Sequence, residues 1–131
     1  MDAQTQSTIR ATFDGSNLGT LHFGEVLQQL ASVHVESYRV DYRAGRATYY
    51  LPTGAVLDLG FEPSPEPIAD GFDADAVRAA VRGAQQGQVM YPEFKRLTQR
   101  AGCVGYTVWI AGRHVSYRGR RGEMHVERFP D

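Results

Sequence analysis

The chain has 131 residues, 42% hydrophobic and 22% charged, with a net charge of −1. This composition excludes disordered and fibrous classes and fits a globular fold with a sizeable core. No stretch of about 18 apolar residues and no basic-then-apolar leader occurs, so neither membrane spanning nor secretion is expected, and the expected location is the cytoplasm.

Ser7 is the expected N-cap of a first helix that ends near Gly15 or Gly19, and a second helix runs from Gly24 to Ser32 with Val26 and Leu30 inward. The apolar period then changes from 3.6 to 2. Tyr38 and Val40 begin a strand, and a three-residue loop of Arg43, Ala44 and Gly45 sets Tyr38 opposite Tyr50 and Val40 opposite Thr48. Residues 61–72 are rich in proline and acidic side chains and read as a linker.

Asp75 is the expected N-cap of a third helix over 76–86, with Gly87 after its end. Pro92 suits the first turn of a fourth helix, in which Phe94, Leu97 and Ala101 share a face before Gly102 stops it. Tyr106, Val108 and Ile110, then Val115 and Tyr117, form a hairpin if Ala111 and Gly112 are its two-residue turn. That register puts Tyr106 opposite Tyr117 and Val108 opposite Val115. A loop of Gly119 to Gly122 then sets Met124 beside Tyr117 and Val126 beside Val115, completing an apolar face under the helices.

Shifting the chain by 68 residues lays Ile9–Tyr42 on Val77–Ile110 without a gap, with identities that include Gly15/Gly83, Gly19/Gly87, Glu25/Glu93 and Tyr38/Tyr106. The prediction is an α+β fold and one compact domain, built by tandem duplication of an αα-βββ unit. The repeats, about 5–60 and 73–128, carry antiparallel meanders with helices on one face and are related by a pseudo-two-fold axis.

The same strand pattern predicts the outer sheet face. One row reads Trp109, His114 and Glu127; the next reads Thr107, Ser116 and His125. A histidine beside a carboxylate and an aromatic ring suits acid–base work, and a serine beside a histidine outlines a nucleophile and its base. The commoner meaning of such a face is a solvated or partner-covered surface. The favoured reading is therefore a non-catalytic interaction or ligand-binding module that uses Trp109, His114, Ser116, His125 and Glu127 as binding residues, with no catalytic residue assigned. The rival reading is a small hydrolase built on His114, Glu127, Ser116 and His125.

The remaining residues point away from common chemistries. Cys103 is the single cysteine and matches Val35 in the repeat, which favours a core position over a reactive thiol. The four histidines lack metal-ligand spacing, and no phosphate-binding or dinucleotide motif occurs, so no metal and no cofactor is expected. Residues 1–68 carry 4 basic and 8 acidic side chains, a balance of −4, against 10 basic and 7 acidic over 69–131, a balance of +3. That excess, with Arg113, Arg118, Arg120 and Arg121 in it, is too small to favour nucleic acid. A protein partner or self-association is expected instead.

The run GQVMYPEFKRLTQRAGCVGYTVWIAGRHVSY, closing with GEMHVERFP, resembles the YbcV/YdfO-like bacterial proteins, a domain of unknown function sometimes labelled "phage envelope protein". The likeness covers nearly the whole chain and is most specific at YPEF, AGC and the Tyr-x-Val strand. It implies a compact α+β fold and a small cytoplasmic bacterial protein with a prophage link in places, and it brings no catalytic residue.

Overall fold

The structure is a computed structural model that describes residues 1–130. Its elements in chain order are α1 (Ala3–Leu18), α2 (Phe23–Ser32), β1 (Ser37–Asp41), β2 (Arg46–Tyr50), β3 (Val56–Gly60), α3 (Ala74–Gln85), α4 (Tyr91–Arg100), β4 (Cys103–Trp109), β5 (His114–Gly119) and β6 (Met124–Arg128). The fold is α+β: four helices and one six-stranded antiparallel sheet in the order β3-β2-β1-β4-β5-β6.

Helix boundaries follow their caps. Asp2, not Ser7, starts α1, and its carboxylate accepts the Thr5 amide at 2.7 Å. Asp73, not Asp75, starts α3 by accepting the Ala76 amide at 3.1 Å. Gly19 and Gly87 follow α1 and α3 with φ of 76° and 73°, left-handed values that glycine adopts without a Cβ clash.

The expected register holds between β4 and β5, where Tyr106 pairs with Tyr117, Val108 with Val115 and Trp109 with His114. It slips by one residue in two other places. Between β1 and β2, Tyr38 pairs with Tyr49 and Val40 with Ala47. The Asp41 carboxylate accepts the amides of Arg43 and Ala44, and the Asp41 carbonyl accepts that of Gly45, so the loop takes four residues, 42–45. Tyr42 is thereby drawn inward, 1% exposed, with its amide on the Val104 carbonyl and its hydroxyl 2.8 Å from Thr98 Oγ1.

Between β5 and β6 the Gly119 amide donates to the Glu123 carbonyl, so the turn holds only residues 120–122. Tyr117 then faces His125 and Val115 faces Glu127, while Met124 and Val126 fall on the outer face, 59% and 51% exposed. A one-residue slip exchanges the two faces of a strand, so the expected inward Met124 and Val126 are corrected to outward.

All four helices lie over the face that carries Tyr38, Val40, Tyr106 and Val108, where the buried core forms. Cys103 belongs to that core, fully buried, and burial pushes its thiol up to about 11.

Candidate functional site

The register divides the residues singled out by sequence. Trp109, His114 and Ser116 do come together on the outer face: the indole Nε1 donates to Ser116 Oγ at 3.2 Å, and the indole and imidazole rings stack at 6.1 Å. His125 and Glu127 sit on the opposite, helix-covered side. His125 Nε2 lies 2.9 Å from Glu127 Oε1, and Arg82 of α3 donates to Glu127 Oε2 at 3.1 Å. The expected row of Trp109, His114 and Glu127 is therefore corrected to Trp109, His114 and Arg128. Ser116 pairs with Val126 rather than His125, which removes the nucleophile-and-base geometry.

Glu127 is 8% exposed. Burial alone raises a carboxyl, but hydrogen bonds from His125 and Arg82 outweigh it, and the group ends below its ordinary 4.5. This is a structural ion pair that ties β6 to α3.

The basic residues are also occupied within the chain. Arg120 donates to the Ile68 carbonyl at 2.8 Å, Arg121 donates to the Asp70 carboxylate, Arg118 donates to Thr107 Oγ1 at 2.7 Å, and Arg113 lies over the Phe129 ring. The RGRRG run thus pins the segment 61–72 to the β5–β6 turn.

The feature that sequence reasoning missed is a cavity of about 90 Å³ between the helix layer and the sheet. Tyr38 and Val40 of β1, Tyr49 of β2, Val108 of β4 and Tyr117 of β5 form its floor; Phe13 of α1, Val81 of α3 and Phe94 of α4 contribute to its roof. Alternation assigns Tyr38 and Tyr117 to the core, whereas Tyr49, expected on the outer face, turns inward through the one-residue slip between β1 and β2; nothing in a single sequence separates a filled core from a hollow one.

The tyrosines differ in how their hydroxyls are satisfied. Tyr42 binds Thr98, and Tyr106 binds Tyr91 at 2.8 Å. Among the described residues, the hydroxyls of Tyr38, Tyr49 and Tyr117 have no such partner, although the residues are only 6%, 4% and 5% exposed. They are not sealed either, since Gln99 Oε1 is the one fully enclosed, unpartnered side-chain atom among the described residues. Burial holds all three hydroxyls well above the ordinary 10.0, so they are neutral donors at any physiological pH. No protein group satisfies these three hydroxyls, and the cavity leaves room for an acceptor that would.

The site thus defines a class: a small α+β protein with a hydroxyl-lined apolar cavity under its helices. Residues 16–128 match the model of the family described as "Protein of unknown function (DUF1398)", and the chain belongs to that family. It is also similar to uncharacterised proteins of Mycobacterium bovis and Mycobacterium tuberculosis, 30% identical over 117 residues, or 85% of this chain. The match spans 66% of the length of those relatives. No helix among the described residues is long and apolar enough to cross a membrane.

Proposed function

We propose that this chain is a non-catalytic ligand-binding module whose site is the cavity between its helices and sheet. The observation that carries the reading is that three buried tyrosines, Tyr38, Tyr49 and Tyr117, present hydroxyls with no protein partner to a mostly apolar space. An apolar enclosure with a few convergent polar groups is the usual form of a small-molecule site. The volume lies between the ~30 Å³ share of one water and the ~150 Å³ that houses benzene, so the ligand is compact. The test is an NMR titration with a small neutral probe, isobutyramide. Shifts centred on Tyr38, Tyr49, Tyr117 and Val108 are expected, and they should vanish in Ala47→Leu, whose isobutyl side chain fills the space. Shifts scattered over the surface, or unchanged by Ala47→Leu, contradict the reading.

A second reading concerns the outer face, where Trp109 on β4 is 42% exposed and Met124 and Val126 on β6 are exposed as well. Trp109, His114 and Ser116 remain our proposal for a protein contact there, since a large aromatic among adaptable polar groups is typical of binding hot spots. Its test is concentration-dependent association of wild type against Trp109→Ala.

We also propose that the halves, about 5–60 and 73–128, arose by tandem duplication and pack as one domain about a pseudo-two-fold axis between β1 and β4. Support comes from equivalent close packing: a Cβ on Gly15 would meet Leu21 at 2.6 Å, and one on Gly83 would meet Val89, the residue 68 positions after Leu21, at 2.6 Å. Narrower kinship with the YbcV/YdfO-like proteins, a prophage link and a cytoplasmic location belong to the same proposal and rest on the YPEF and AGC runs and on composition.

A further inference from the structure

Two phenylalanines in matching places line the cavity: Phe61 just after β3 and Phe129 just after β6, the two edge strands of the sheet. Their backbones are held alike, the Phe61 amide donating to the Gly45 carbonyl at 2.9 Å and the Phe129 amide to the Arg113 carbonyl at 3.0 Å. Their surroundings differ. The Phe61 ring packs on Phe13 and lies under Lys95, itself only 9% exposed, and the chain beyond it is tied down by Arg100 on Glu66, Arg120 on the Ile68 carbonyl and Arg121 on Asp70. The Phe129 ring meets the edge of Phe23 at 6.1 Å and the exposed guanidinium of Arg113 at 5.8 Å.

The wall at Phe129 also divides two spaces. His22, Phe23, Ala84, Gln85, Phe129 and Pro130 line both the cavity and a second depression, which the exposed Gly24, Glu25 and Gly87 open to the surface. Arg113 adds an independent sign. It is held at φ 60°, left-handed backbone that is costly for a residue with a Cβ, whereas Gly45, in the matching place after β1, takes φ 66° freely. What a glycine at 113 could not supply is the guanidinium over the Phe129 ring.

We propose that Phe129 is the door of the cavity and Arg113 its latch. The ring turns out into the depression to admit a compact ligand, and the guanidinium draws it shut. This rests on the cavity reading and adds its route of entry. Opening here breaks one edge-to-face aromatic contact and one surface cation–π contact, both weak, and turning a side chain leaves the sheet intact. Opening at Phe61 would have to displace a buried lysine as well.

The experiment titrates isobutyramide into wild type, Arg113→Gly and Phe129→Ala, with NMR line shapes giving the affinity and both rate constants. A door sets the rates and leaves the affinity alone, whereas a residue that holds the ligand sets the affinity. Arg113→Gly should stay folded, since glycine takes φ near 60° without a Cβ clash. It should speed binding and release alike by about threefold, the factor a surface cation–π contact is worth. Phe129→Ala should speed both by about tenfold or more while Kd stays within about threefold of wild type. Wild-type rates in both variants, or a weaker affinity carried by release alone, overturn the proposal and leave the cavity reading intact. Failure of all three proteins to bind the probe overturns both.

Discussion

The Nζ of Lys95 lies 4.1 Å from the centre of the Phe61 ring, an attraction that only partly replaces the water this cation has lost. Removing the charge while keeping the volume should help the unliganded fold, so Lys95→Met is expected to raise stability by about 1 kcal/mol at neutral pH. Because the folded group loses its proton at lower pH than the unfolded one, wild-type stability rises as pH climbs toward 10.5. The gap between the variants should therefore narrow with pH in urea titrations kept below pH 10.0, where tyrosine ionisation does not interfere. A gap that widens with pH contradicts the environment described for Lys95.

The tyrosines act in the opposite sense. Six of them, Tyr38, Tyr42, Tyr49, Tyr91, Tyr106 and Tyr117, are raised by burial above 10.0. Their contribution is complete below the unfolded value and is lost as pH rises beyond it. Alkaline unfolding should therefore be cooperative, with phenolate absorbance and loss of circular dichroism appearing together above pH 10.0. The chain has seven tyrosines, so more than one phenolate forming well before the fold is lost would contradict the burial described for these six.

Glu127 sets the acid limit. Its folded carboxyl lies below the ordinary 4.5, so its contribution is present above that pH and disappears as pH falls through the folded value. Glu127→Gln should cost about 1 to 3 kcal/mol at pH 7 by leaving Arg82 and His125 without their charged acceptor. It should also lose less on going to acid than wild type does. Equal acid sensitivity in the two proteins would remove Glu127 from this role.

Trp109 offers an independent check on the outer face. As the single tryptophan, 42% exposed, it should emit near the wavelength of a solvated indole and be quenched readily by iodide. Trp109→Ala should cost about 1 kcal/mol or less, the range of a half-exposed position. A loss of several kcal/mol would mean that the side chain is packed, and the protein-contact proposal would fall.

How far the sequence could be read depended on what fixed each register. The β4–β5 hairpin was legible because Tyr106, Val108, Val115 and Tyr117 alternate around a short turn. The β1–β2 pairing was misjudged because the Asp41 side chain lengthens the loop and buries Tyr42, a local hydrogen-bond choice that alternation does not encode. In β6 the apolar Met124 and Val126 suggested the inward face, yet the Gly119–Glu123 turn sends His125 and Glu127 inward, where Glu127 meets Arg82, a partner 45 residues away in sequence. Trp109, His114 and Ser116 were grouped correctly because they lie on β4 and β5. The cavity was not legible at all, since it depends on how closely the helices approach the tyrosines they cover.

The most direct measurement is a crystal of the protein soaked in isobutyramide. The proposed site predicts a molecule between helices and sheet, with its oxygen within hydrogen-bond distance of at least one of Tyr38, Tyr49 and Tyr117. A cavity that has collapsed, or one that holds only water while isobutyramide occupies the Trp109 face, would contradict it.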